Sequence, residues 1–124
     1  MNGWTVRIIV AAVVVGALAL SPVAFGKDGV RVAGTCSKAS TSKLKLSRED
    51  AGTEIEFEVD QNRNGVRWRV VLFRNGVRVA SRVAVTRAPS GSFEARFVRS
   101  GGGRWVARAT SPSGEVCTAA ASIA

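Results

Sequence analysis

The stretch that decides the fold is Val66-Arg67-Trp68-Arg69-Val70-Val71-Leu72-Phe73, followed by Arg74-Asn75-Gly76 and then Val77-Arg78-Val79-Ala80-Ser81-Arg82-Val83-Ala84-Val85. Val66, Trp68, Val70 and Leu72 alternate with Arg67, Arg69, Val71 and Phe73, a period of two that belongs to a strand with one buried face. Val77, Val79, Val83 and Val85 repeat the pattern against Arg78, Ala80, Arg82 and Ala84. Between the two runs, Asn75-Gly76 tolerates the positive φ of a two-residue hairpin turn. The reading is a β-hairpin that pairs Leu72 with Val79 on its inner face.

The same period extends outward in both directions. Upstream, Ile55, Phe57 and Val59 alternate with Glu54, Glu56 and Glu58, which predicts a half-buried strand with an acidic outer face. Val30 and Val32 open a first strand that runs to Cys36, and Leu44 and Leu46 form a short edge piece. Downstream, Phe93, Ala95 and Phe97 alternate with Glu94, Arg96 and Val98. Trp105, Ala107 and Ala109 alternate with Arg104, Val106 and Arg108, and a last strand carries Cys117. Ala88-Pro89-Ser90-Gly91, the flexible Ser100–Gly103 segment and Ser111-Pro112-Ser113-Gly114 are turns by composition. No helical period occurs beyond the N-terminal segment. Seven or eight strands with a turn every ten residues or so predict an all-β, two-sheet antiparallel β-sandwich.

The N-terminus has a different grammar. Arg7 precedes an unbroken apolar run, Ile8 to Leu20, then Ser21-Pro22 and the small-residue sequence Ala24-Phe25-Gly26. Basic, apolar and small-residue regions in that order are a secretory signal peptide. Thirteen apolar residues fall short of a membrane-spanning helix. The division is therefore residues 1–26 as a removed leader and 27–124 as one domain, secreted or associated with the cell envelope. An exported chain permits a disulfide, and Cys36–Cys117 is the one intramolecular pairing two cysteines allow.

The chain has 18 basic and 9 acidic residues; losing a leader whose single charge is Arg7 leaves 17 against 9, a net charge of +8. Fourteen of the basic residues are arginine, whose planar fork suits carboxylate and phosphate. With no histidine, no tyrosine and both cysteines oxidised, the serine–histidine and cysteine–histidine nucleophile pairs and thiolate or imidazole zinc sites are excluded. A non-catalytic protein without cofactor is expected.

The layout resembles immunoglobulin-like and fibronectin type III-like sandwiches, at the level of architecture. Trp68 stands where such domains carry a core tryptophan, while Ile55 or Phe57 and Ala107 or Ala109 occupy the region of their inter-sheet cysteine pair. The resemblance implies that the Trp68 strand shares a sheet with the Val77 and Trp105 strands. Arg67, Arg69, Arg78, Arg82, Arg104 and Arg108 would then share one face with Phe73, and Glu54–Glu58 would lie on the other sheet. Such a face suits an anionic cell-envelope polymer or surface. A meander remains the other layout, in which Glu54–Glu58 pairs across a hairpin with Arg67–Arg69 and neutralises the patch.

Two further stretches carry candidate sites. Asp60-Gln61-Asn62-Arg63-Asn64-Gly65 matches the first half of a calcium loop, with Asp60, Asn62 and Asn64 as ligands. The twelfth position holds Val71 instead of a bidentate carboxylate, and Arg63 adds a repelling charge, so a turn accounts for the residues better. Arg99-Ser100-Gly101-Gly102-Gly103-Arg104 could serve as an end loop for an extracellular protein partner, as in a protein-interaction or protease-inhibitor domain.

Overall fold

A computed structural model describes the backbone of Val23–Gly26 and all of residues 29–124. The apolar run Ile8–Leu20 and the Ser21-Pro22 pair of the predicted leader lie outside the described residues. Those residues form ten strands and no helix: β1 (Val23–Gly26), β2 (Gly29–Ala33), β3 (Thr35–Cys36), β4 (Thr41–Glu49), β5 (Gly52–Asp60), β6 (Arg67–Arg74), β7 (Val77–Val85), β8 (Ser92–Arg99), β9 (Gly103–Thr110) and β10 (Val116–Ile123). They make two five-stranded antiparallel sheets, in the orders β1-β2-β4-β5-β8 and β3-β10-β9-β6-β7.

Alternation dictates the core. From β4 and β5, Leu44, Leu46, Ile55, Phe57 and Val59 point inward; from β6 and β9, Trp68, Val70, Leu72, Trp105, Ala107 and Ala109 meet them, all fully buried. Each large apolar side chain removed from water contributes about 1.5–3 kcal/mol. Trp68 tilts against Phe93 with ring centroids 5.9 Å apart, and its indole N–H donates to the Gln61 side-chain oxygen at 3.1 Å. That bond satisfies the one polar group the tryptophan brings into the core. Leu44 and Leu46 sit on a nine-residue interior strand, β4, not on the short edge piece expected from sequence.

The first strand does not run unbroken to Cys36. It switches sheets at Gly34, where a Cβ would lie 2.3 Å from Ser42 Oγ and 2.7 Å from the Thr118 carbonyl oxygen. Glycine is therefore required where the chain crosses the gap between layers. Beyond the crossing, Cys36 lies directly opposite Cys117 in the β3–β10 pairing, and the two form the disulfide. β1 consists of the last four residues of the predicted leader and pairs antiparallel with β2. Cleavage after Gly26 would take β1 away and leave β2 as the margin of its sheet.

Candidate functional site: a basic sheet face

The β6–β7 turn has the predicted geometry, with φ of +50° at Asn75 and +83° at Gly76. The register does not follow the sequence expectation. Leu72 pairs with Ala80, Phe73 pairs with Arg78, and Val79 is the extra residue of a β-bulge. One inserted residue reverses the phase of all that follows on β7. Arg78 therefore lies beside Phe73 on the outer face, whereas Arg82 pairs with Val70 and belongs to the inner set. Because β7 is an edge strand, Arg82 reaches over the seam between sheets. Its guanidinium covers the Phe97 ring at 4.5 Å and donates to the Arg96 carbonyl oxygen. Arg82 is thus not part of the outward face expected for it.

The other five arginines are exposed on the outer side of one sheet. The strand order β9-β6-β7 brings their strands together, and β5 pairs with β4 and β8 instead of β6, so the meander layout does not occur. Registered rows run across the face: Thr110, Arg69 and Val83; Arg108, Val71 and Ser81; Val106, Phe73 and Arg78. Arg67 pairs with Val85 at one end, and Arg104 projects from the other end of β9. Successive outward residues on a strand are about 7 Å apart, and neighbouring strands about 4.8 Å. Several guanidiniums thus lie within one Debye length of each other, about 8–10 Å at ordinary salt. Arg108 stands over the Phe73 ring, 5.6 Å from its centroid.

No strand of this sheet contains an aspartate or glutamate. Among the described residues, the ion pairs are Lys43–Glu58 at 3.4 Å and Arg96–Glu54, both on the opposite sheet. Glu115, next to β10, is buried and turned away from the face. It accepts hydrogen bonds from the Lys38 and Ser40 backbone N–H groups and from the Ser40 hydroxyl, at 3.2, 2.9 and 2.8 Å. The arginine charge is therefore not compensated within its own sheet. At the Arg67 end the face dips into an open groove of about 380 Å³, lined by Arg67, Arg69, Val83, Thr110 and Pro112 among others. Sequence reading did not find the groove, because the Ser111–Gly114 turn reaches β6 only through the tertiary pairing of β9 with β6.

The opposite sheet gathers the acids. Glu54, Glu56 and Glu58 do form an outward stripe, but β8 places Glu94 directly opposite Glu58 and next to Glu56. Arg31, Lys43 and Lys45 complete the rim of a cavity of about 220 Å³ beside them. Burial, hydrogen bonds to Glu54 and Glu94 that need the acid form, and the charges of those two neighbours push the Glu56 carboxyl up to about 7. Burial also opposes the charge of Glu54. There the Arg96 hydrogen bond, a bond from Glu56 and the charges of Arg96 and Lys45 win, leaving it below the ordinary range.

The Asp60–Gly65 segment is built as a turn. Asp60 Oδ1 accepts the Asn62 backbone N–H at 3.0 Å, Asn62 has φ +57° and Gly65 has φ +78°. These conformations account for Asn62 and Gly65. The Arg99–Arg104 loop is held at several points. Thr53 donates to the Gly101 carbonyl oxygen at 2.6 Å, Arg74 to that of Ser100 at 3.1 Å, and the Arg104 N–H donates to Asn75 Oδ1 at 2.9 Å. Comparison with protein-family models, with curated proteins and with solved structures finds no match to this chain.

Proposed function

We propose that this protein is an exported, non-catalytic binding module that associates with an anionic surface or polymer through the outer face of the β3-β10-β9-β6-β7 sheet. The observation that carries the reading is five exposed arginines, Arg67, Arg69, Arg78, Arg104 and Arg108, on a sheet without a carboxylate. Clustered cations of one sign raise the local concentration of an anionic partner and speed its encounter. Arginine adds bidentate contacts to phosphate or carboxylate once the partner arrives. Export rests on the basic–apolar–small order of residues 1–26, and the Cys36–Cys117 disulfide is compatible with it. The end loop Arg99–Arg104 supports a protein-interaction reading less well, because its backbone is tied to Thr53, Arg74 and Asn75.

The test is retention on immobilised polyphosphate as a function of salt. If each neutralised charge contributes a log–log slope of roughly 0.7–0.9, five arginines predict a slope near −4. The paired change Arg67→Glu and Arg69→Glu should abolish retention at about 0.1 M salt without altering the near-ultraviolet signal of the buried tryptophans. Retention independent of salt, or retained by that variant, would count against the proposal.

A further inference from the structure

We propose that the anionic partner is a lipid surface, with the arginines on headgroup phosphates and the valines of β7 in the interfacial layer. The inference rests on the basic-face reading and adds an apolar half to it. Among the described residues, the exposed large hydrophobic side chains are Val77, Val79 and Val83, at 64, 39 and 43 % exposure, and all three belong to β7. That strand is the margin of the arginine sheet. Val83 is registered beside Arg69 and Val85 beside Arg67, while Val71, Phe73 and Val106 lie half-buried between the arginines. Val77 follows the Asn75-Gly76 turn at the tip of the hairpin, opposite Arg74 and in the phase of the inner set. It is exposed by its place at the margin and not by facing outward with Val83; Val79 is carried on the bulge.

A soluble polyanion would contact the guanidinium groups and leave these valines in water. A bilayer with anionic headgroups meets both. Phosphates lie at the depth of the guanidiniums, and apolar side chains gain by entering the boundary about 5–10 Å below the headgroups. Arginine stems can lie along that boundary while their charged ends stay at the phosphates. The open backbone edge of β7 sets the limit of insertion, because unpaired N–H and C=O groups are costly in hydrocarbon. The geometry is therefore that of a sheet resting on the membrane by one margin. A second copy does not fit the face, since it would set five arginines against five. An acidic extended peptide would satisfy the charges but needs no exposed valine.

The experiment uses the protein recovered from the exported fraction, with its N-terminus fixed by mass spectrometry and shared by every variant. Three probes are compared: vesicles of phosphatidylglycerol and phosphatidylcholine, vesicles of phosphatidylcholine alone, and soluble polyphosphate, with polyglutamate as a peptide control. The wild type should co-sediment with the phosphatidylglycerol vesicles and not with the neutral ones. The double change Val77→Thr and Val83→Thr keeps β-branching. It should weaken vesicle partitioning about tenfold and leave polyphosphate affinity unchanged. Arg67→Gln with Arg69→Gln should weaken both.

Polyphosphate or polyglutamate binding without vesicle binding would overturn the lipid assignment and leave the basic-face reading standing. So would vesicle binding that the valine variant does not change. Failure to bind any of the anionic probes would overturn both.

Discussion

A single carboxyl shows how much a neighbour strand can change a residue. Glu56 lies on a strand face that alternation marks as solvated, yet Glu94 and Glu54 crowd it and its pKa rises to about 7. The folded protein then binds a proton that the unfolded chain, with an ordinary value of 4.5, releases at lower pH. Stability from this group is present at low pH and declines as pH rises from about 4.5 through 7. Glu54 has the opposite sign: its contribution is present above the ordinary carboxylate value and is lost as pH falls below it. The expected outcome is a melting temperature higher at pH 5 than at pH 8, with Glu56→Gln flattening that slope; an unchanged slope in the variant would assign it to other groups. Glu115 is the other decisive carboxylate. Buried under three hydrogen bonds, it joins the Lys38–Ser40 segment to the start of β10. Glu115→Ala leaves those donors unpaired and should cost about 1–3 kcal/mol in urea unfolding.

At the scale of one element, the β6–β7 hairpin decides which arginines face solvent together. Its turn was legible because Asn-Gly favours positive φ at both central positions. Its bulge was not. Val79 has the same composition and spacing as its neighbours, and nothing local marks it as unpaired. Arg78 and Arg82, four residues apart, read as same-face residues and end on opposite faces for this reason. Asn75 has a second task, accepting the Arg104 N–H through Oδ1 and donating its own N–H to the Arg104 carbonyl oxygen at 2.8 Å. Alanine at Asn75 must hold a left-handed backbone at about 1–2 kcal/mol and loses the side-chain acceptor. The predicted result is a loss of at least that size by denaturant titration, with faster amide exchange at Arg104. The pentapeptide Arg74-Asn75-Gly76-Val77-Arg78 also occurs as Arg63-Asn64-Gly65-Val66-Arg67, where the backbone differs. Gly65 has a positive φ but Asn64 does not, and the other left-handed residue is the preceding Asn62. Identical pentapeptides thus make different connections when the strands around them differ.

For the whole molecule, the disulfide joins residues 81 apart in sequence that face each other across two strands of one sheet. By the chain-entropy relation such a closure destabilises the unfolded chain by about 4.5 kcal/mol. Domains of this size have about 5–10 kcal/mol in total. Reduction, or Cys36→Ala with Cys117→Ala, should therefore shift the urea midpoint strongly downward while leaving the fold intact in the absence of denaturant at low temperature. A midpoint that moves by less than the equivalent of about 1 kcal/mol would place the stability in the two-sheet core alone. Charge is also separated at this scale. The strands of the β1-β2-β4-β5-β8 sheet carry six acids and six bases, whereas those of the other sheet carry arginines and no acid, so the unbalanced positive charge lies on one side of the core.

The amino-acid order by itself determined the period-two strands, the inward set headed by Trp68 and Trp105, the Asn75-Gly76 turn and the cysteine pairing. All of these follow from local sterics, from alternating hydrophobicity or from there being two cysteines. Tertiary structure decided which strands are neighbours, where the bulge falls, the crossing at Gly34 and the proximity of Glu94 to Glu56. Those depend on pairings between segments distant in sequence, and one alternation pattern is compatible with several of them. The arginine face needed both: alternation turned the side chains outward, and only the order β9-β6-β7 placed them side by side.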